Sequence, residues 1–292
     1  MVMPVEEDSP PWVTADVDVA EYQVSGPRGG ISLREYRPRH LELPRQLRRE
    51  DLPILIWLHG GGFQSGDLNM NESHIVASEL AVRTPAIAIT VDYRLVRAGL
   101  HHPAPLDDVH SVWQWAAAGN AGSGAVAIGG ASAGGNLAAA CVLRSTLSAG
   151  PVPSALLLAY PVMHFPVPAL SFDVAETIAR DRSDMFRFSP ETIEQMFLDY
   201  VGRVTDLPVE AVPGFGCLTG FPPTTMVISE FDDLRPSAEL FVRQLQRSEV
   251  PVRRHLASGM EHGHLDRTPT VAEVNTSLDV FVDALRQIMV PQ

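Results

Sequence analysis

Residues 125–143 read AVAIGGASAGGNLAAACVL, three signals in a row. Residues 125–129 are a short apolar run that suits a buried strand. Gly130-Ala131-Ser132-Ala133-Gly134 fits G-x-S-x-G, and residues 136–143, rich in Ala and Leu, suit a buried helix. Strand, sharp turn and helix is the setting in which G-x-S-x-G lifts a serine onto a nucleophile elbow. Such a turn imposes unusual backbone angles on the serine. Gly and Ala at the flanking positions leave room for the hydroxyl and for whatever approaches it. The turn also opens a helix, where backbone N–H groups favour developing negative charge. The motif is short, and a Gly/Ala-rich turn with an incidental serine is the plain alternative. A membrane span fits poorly, because the stretch is rich in Gly and Ser and weakly hydrophobic.

The chain has 292 residues, enough for a substantial core, and reads as a single domain over 1–292. Its formal net charge of −13 argues against nucleic acid and anionic membranes as partners. The two cysteines, Cys141 and Cys217, make no disulfide framework. The N-terminus, MVMPVEEDSPP, is acidic and Pro-rich and carries no secretory signal, so a cytoplasmic location is expected.

Outward from the elbow, strands and helices alternate. Residues 1–15 read as a loose arm. Residues 16–24 and 31–36 alternate apolar and polar side chains around a Gly-Pro-Arg-Gly-Gly turn and predict a hairpin. Residues 37–52, Arg-rich with several carboxylates, read as a surface loop. Apolar runs predict buried strands at 54–58, the clearest case of a strand covered on both faces, and at 86–91, with further strands at 155–160, 224–230 and 252–256. Helices are expected at 71–83, 106–118, 237–247 and 271–289. Residues 163–208 contain helical pieces, including 190–201, and read as a cap inserted over the sheet. The pattern is α/β: a mostly parallel central sheet with helices on both faces.

His59-Gly60-Gly61-Gly62-Phe63 follows the strand at 54–58 directly. Glycines there let the backbone come close to a substrate carbonyl with N–H groups exposed, which is the second half of an oxyanion hole. A phosphate loop would need Lys and Ser/Thr just downstream, and none is present. Residues 122–127, matching G-x-G-x-x-A, precede a strand rather than follow one, so they do not read as a dinucleotide site.

A serine hydroxyl needs a base, and the base needs an orienting acid, in the chain order Ser, acid, His on this fold. Of ten histidines, His164, His255, His262 and His264 lie beyond Ser132. His255 falls inside a strand and His164 in the insertion. His262 follows the last strand through SGMEHG, in a loop that emerges at the same rim as Ser132, and that position favours it over His264. Glu230, Asp232 and Asp233 all follow the penultimate strand, and position alone does not separate Asp232 from Asp233.

These residues resemble the hormone-sensitive-lipase-like carboxylesterases, a branch of the α/β-hydrolases. The resemblance rests on HGGGF at 59–63, DYRL at 92–95, GASAGG at 130–135, Tyr160-Pro161, FPPT at 221–224 and His262-Gly263, in that order. It implies an α/β-hydrolase fold with a small helical cap and a triad of Ser132, Asp232 and His262. Asp232 is selected because DDLRP at 232–236 aligns with the family's DPLRD. It further implies an oxyanion hole from the N–H groups of Gly61, Gly62 and Ala133. Departures lie at Ala131, at Pro236, at His264 in place of the Phe of HGF, and in VRAGLHHPAP after DYRL. The last two are expected to bear on the pocket. Phe63, His264 and Phe165 are the expected substrate-binding residues, with Met185 as a further lining candidate.

The expected activity is hydrolysis of small carboxylic esters, of short or medium acyl length, through an acyl-enzyme and without metal or organic cofactor. The same machinery serves amide, carbamate or lactone hydrolysis, or acyl transfer. The rivals from other classes are a ligand-binding protein on this scaffold, as in the related plant hormone receptors, and a metal-assisted hydrolase using His262, His264 and Asp266. Oligomeric state is open, a homodimer included.

Overall fold

The computed structural model describes residues 16–39, 52–97, 99–122, 124–181 and 187–289. The arm at 1–15, most of the loop at 37–52 and Met185 lie outside the described residues. An eight-stranded sheet runs in the order β1-β2-β4-β3-β5-β6-β7-β8. Its strands are β1 (Val17–Gly26), β2 (Gly29–Pro38), β3 (Ile54–Leu58), β4 (Ile87–Asp92), β5 (Val126–Ala131), β6 (Ala155–Ala159), β7 (Thr224–Phe231) and β8 (Val252–Glu261). β1 and β2 pair antiparallel, as does β2 with β4, and every other pairing is parallel.

The continuous apolar runs are explained by two cores. In β3, Ile54, Ile56 and Leu58 enter one cluster while Leu55 and Trp57 enter the other. β6 divides the same way: Leu156 and Leu158 face one side, Ala155, Leu157 and Ala159 the other. Period-2 side chains on a strand covered on both faces must all be apolar, so the sequence shows no alternation. The covering helices are α1 (Asn71–Arg83), α2 (Ala104–Ala117), α3 (Ala133–Leu147), α6 (Arg235–Arg247) and α7 (Ala272–Ile288). Trp57 meets Phe281 of α7 edge-on, with ring centroids 5.6 Å apart. Between β6 and β7 lie α4 (Phe172–Asp181) and α5 (Pro190–Val201), in the span read from the sequence as an insertion.

The strand order carries the functional geometry. From β3 the chain steps to β4 on one side, then returns to lay β5 against the other edge of β3. Strand order reverses between β3 and β5, and the loops leaving their carboxyl ends face each other, the place where open α/β sheets form sites. The HGGG turn leaves β3 and the serine turn leaves β5.

β8 is longer than the sequence suggests. The segment SGMEHG reads as a loop, yet β8 continues to Glu261 through a register shift opposite Ser229–Phe231. Gly259 takes φ +73 there, and the Glu230 carboxylate accepts from Gly259 N–H at 2.6 Å and from the Ser258 hydroxyl at 3.1 Å. A bulge bends its strand and re-aims the residues beyond it. In β8 the first residue past the strand is His262.

Candidate active site

Ser132 sits between β5 and α3 with φ 51 and ψ −117, outside the regions that ordinary L-residues occupy. The strain persists because the surroundings over-determine it. Ser132 N–H donates to Ala159 O at 2.9 Å, and Asn136 N–H closes the first turn of α3 on Ser132 O. The turn packs flat against β3: a Cβ at Gly134 would stand 2.3 Å from Leu58 O and 2.4 Å from His59 O. Only glycine fits there.

His262 lies in front of the serine. Its Nε2 is 2.8 Å from Ser132 Oγ and its Nδ1 is 2.7 Å from Asp232 Oδ2. Asp232 is fully buried, and its other oxygen accepts Leu234 N–H at 2.8 Å, which fixes the carboxylate in the turn that opens α6. With Asp232 accepting at Nδ1, the Nδ1–H tautomer leaves Nε2 free to accept the serine proton. Burial alone pulls the His262 imidazole down. The charge and hydrogen bond of Asp232, helped by Glu72 and Asp233, outweigh it and hold the pKa above its ordinary value.

Opposite, the HGGG turn presents its amides. Gly61 and Gly62 adopt φ +109 and +60, a conformation that favours glycine. Gln64 and Ser65 N–H both close on Gly61 O, while the N–H groups of Gly61 and Gly62 enter none of the hydrogen bonds among the described residues. Ala133, first in α3, has no intrahelical acceptor for its own N–H. The turn is braced by His59, which is buried and whose pKa burial lowers. Its ring stacks on Tyr93 at 4.4 Å, its Nδ1 bonds Gly60 O at 2.7 Å, and Tyr93 O–H donates to His59 O at 2.7 Å.

Glu72, which the sequence gives no reason to single out, and Tyr160, of the Tyr160-Pro161 motif, join these parts from below. Glu72, in the first turn of α1, is buried; its Oε2 accepts Gly60 N–H at 2.7 Å and its Oε1 accepts the Tyr160 hydroxyl at 2.6 Å. Burial raises the Glu72 pKa despite the bond from Tyr160. The Tyr160 ring meets both His262 and His264 edge-on, with centroids 5.0 and 5.1 Å away. Glu72→Ala would leave the Gly60 N–H and the Tyr160 O–H buried without an acceptor, at about 1–3 kcal/mol each, although the Tyr160 oxygen keeps its bond from Leu265 N–H. Denaturant melts are expected to show a loss of about 2–4 kcal/mol for Glu72→Ala and much less for Glu72→Gln, which keeps an oxygen for Gly60.

Two of the expected substrate-binding residues, Phe63 and His264, are buried in packing contacts. Gly263, at φ +76, turns the chain before His264, whose ring also meets Tyr160 edge-on. There His264 is buried between the hydroxyls of Ser229, 2.9 Å, and Ser277, 3.0 Å, and burial pushes its pKa down to about 3. It is a neutral structural pin, not a pocket residue. Phe63 is fully buried and stacks on Tyr200 of α5 at 3.7 Å, so it wedges the HGGG turn against α5 instead of facing a ligand. Phe165 packs on Phe197 and lines an apolar recess with Leu207, Val209 and Phe215, a lining that does not include Ser132 or His262. The residues that do border the site are Phe188, whose ring meets His262 edge-on at 4.6 Å, and Met196, whose sulfur would lie 3.7 Å from a Cβ at Gly62. Both fall in the span between β6 and β7, where no sequence motif marks them.

The triplet His262, His264 and Asp266 does not converge. Asp266 Oδ1 accepts Glu72 N–H at the start of α1, and its backbone oxygen accepts from Asn71. Among the described residues no cluster of three or more His, Cys, Asp or Glu is disposed to hold a metal.

The sequence model of a family described as alpha/beta hydrolase fold matches residues 55–266, from β3 to the turn after His262. The chain belongs to the α/β-hydrolase family, in its hormone-sensitive-lipase-like carboxylesterase branch. Esterase LipI of Mycobacterium tuberculosis is 28% identical over 286 residues, covering 95% of this chain and 84% of the relative. Carboxylesterase NlhH of the same organism is 30% identical over 228 residues, 75% of this chain and 68% of the relative. An esterase from Pyrobaculum calidifontis superposes with a TM-score of 0.80 at 25% identity, covering 96% of this chain and 88% of that one. No helix among the described residues is long and apolar enough to cross a membrane.

Proposed function

We propose that this α/β-hydrolase is a serine carboxylesterase in which Ser132 is the nucleophile, His262 the general base and acid, and Asp232 the residue that orients and stabilises the imidazole. The observation that carries the reading is the unbroken relay from Asp232 Oδ2 through His262 to Ser132 Oγ, with bonds of 2.7 and 2.8 Å. Ser132 attacks the acyl carbonyl as His262 Nε2 takes its proton. The amides of Gly61, Gly62 and Ala133 receive the oxyanion, each such donor contributing about 2.7–4 kcal/mol. The tetrahedral intermediate collapses as His262 passes the proton to the leaving alcohol. Water, deprotonated by the same imidazole, then attacks the acyl-enzyme, and the imidazolium returns that proton to Ser132 Oγ as the acyl–oxygen bond breaks and the acid leaves. The catalytic groups in these steps are side chains and amides of this chain, with water as the second nucleophile.

Short and medium acyl esters suit a site bordered by Phe188 and Met196. Esterase relatives that align over most of this chain support an ester over an amide, a carbamate or a lactone. With a complete relay, catalysis is favoured over ligand binding on this scaffold. The test is turnover of p-nitrophenyl acetate, butyrate and laurate, with and without EDTA. The expected result is EDTA-insensitive hydrolysis of acetate and butyrate, with kcat/KM lower for laurate. No turnover of any of the three would contradict the reading.

A further inference from the structure

Three carboxylates cluster at the end of β7, Glu230 within it and Asp232 and Asp233 just past it, and each does something different. Glu230 holds the β8 bulge, Asp232 holds His262, and Asp233 reaches forward into the segment between β6 and β7. Asp233 Oδ1 accepts from one Arg187 terminal nitrogen at 2.7 Å; its Oδ2 accepts from Arg187 Nε at 2.9 Å and from Phe188 N–H at 2.9 Å. The pair is bidentate, and the carboxylate is mostly buried although Arg187 is half-exposed. Bidentate Arg–carboxylate pairs fix geometry as well as contributing energy. What this pair fixes is the backbone of Phe188, whose ring lies against the His262 imidazole.

We propose that Asp233 is a positioning residue for the alcohol side of the site, acting by clamping Arg187 and Phe188 so that the Phe188 ring walls the space into which the leaving alcohol departs. The inference rests on the serine-esterase reading and deepens it. In that reading the leaving oxygen must sit within hydrogen-bond reach of His262 Nε2, since it takes its proton there. Tyr160 covers the imidazole from within the core. Phe188, half-buried, makes a second edge-on contact with the imidazole, and in this reading its ring is the apolar surface offered to the alcohol group. The acyl carbonyl is held by the glycine amides, where Met196 is the neighbour. The consecutive aspartates thus divide the work: one orients the base from behind, and the next fixes the wall in front of it.

The experiment compares kcat/KM for ethyl, benzyl and 1-naphthyl acetates, which vary the alcohol, and for p-nitrophenyl acetate and butyrate, which vary the acyl group. The proteins are the parent, Asp233→Ala, Arg187→Gln, Phe188→Ala and the double variant Asp233→Ala/Phe188→Ala. Asp233→Ala and Phe188→Ala are expected to shift the naphthyl-to-ethyl ratio in the same direction by about fivefold or more. The acetate-to-butyrate ratio should stay within about twofold. Arg187→Gln, the milder change, should give an intermediate shift. The double variant should add little to Phe188→Ala, because Asp233 acts through that ring. An unmoved alcohol ratio in folded, active Asp233→Ala, or effects of Asp233 and Phe188 that multiply independently, would overturn the assignment while leaving the esterase reading standing. A parent that turns over none of these esters would overturn both.

Discussion

Ser132→Ala is expected to lower ester turnover by about 10⁶-fold, to the level that the oxyanion amides and substrate binding alone can support. The substitution removes one oxygen at a position that is already small and buried, and the backbone angles of Ser132 are set by Ala159, Asn136 and the glycines around it. The fold is therefore expected to survive. Far-ultraviolet circular dichroism and the melting temperature should match the parent, so that lost activity reports chemistry alone. His262 would keep its bond to Asp232 and lose only its bond to Ser132 Oγ.

The second large effect belongs to Asp232. Asp232→Asn keeps the shape but presents an amide that can donate to Nδ1, and this drives the imidazole proton to Nε2, facing the serine. Loss of about 10⁴-fold in kcat is expected. The pH profile carries a separate signature. The base works when neutral, so kcat/KM rises with pH through the His262 pKa of the free enzyme. In the parent that pKa is held above the ordinary 6.5, because Asp232 outweighs burial. Removing the carboxylate charge leaves burial the stronger influence, so the acid limb of the residual activity should move to lower pH. An acid limb that stays in place would separate Asp232 from His262.

The elbow, the glycine turn and the parallel sheet were legible in the sequence because each is written in residue types with one physical use. Gly134 is excluded from being anything larger by carbonyls 2.3–2.4 Å from where a Cβ would stand. The ILIWL run needs apolar side chains at every position because both faces are covered. What the sequence did not disclose depends on long-range packing. Position could not divide Asp232 from Asp233, because consecutive side chains in a turn leave in different directions that only the surrounding elements decide. One meets His262, the other Arg187. His264 and Phe63 read as pocket residues because they sit beside site residues in sequence. One turn at Gly263 and one stacked ring, Tyr200, bury them instead. Glu72 looks like an ordinary acidic residue in a helix's first turn, and only the fold brings it under the HGGG turn. SGMEHG looks like a loop because two glycines interrupt it, yet Glu230 ties the bulge that lets the strand run on to His262.

The central claim is that Ser132 is the activated hydroxyl of this molecule. It is tested most directly by reacting the full chain with a fluorophosphonate probe at neutral pH and locating the adduct by peptide mass spectrometry. A single phosphonylated residue, Ser132, with labelling abolished in Ser132→Ala and strongly slowed in Asp232→Asn, is the predicted result. An unlabelled protein, or an adduct on any other residue, would contradict it.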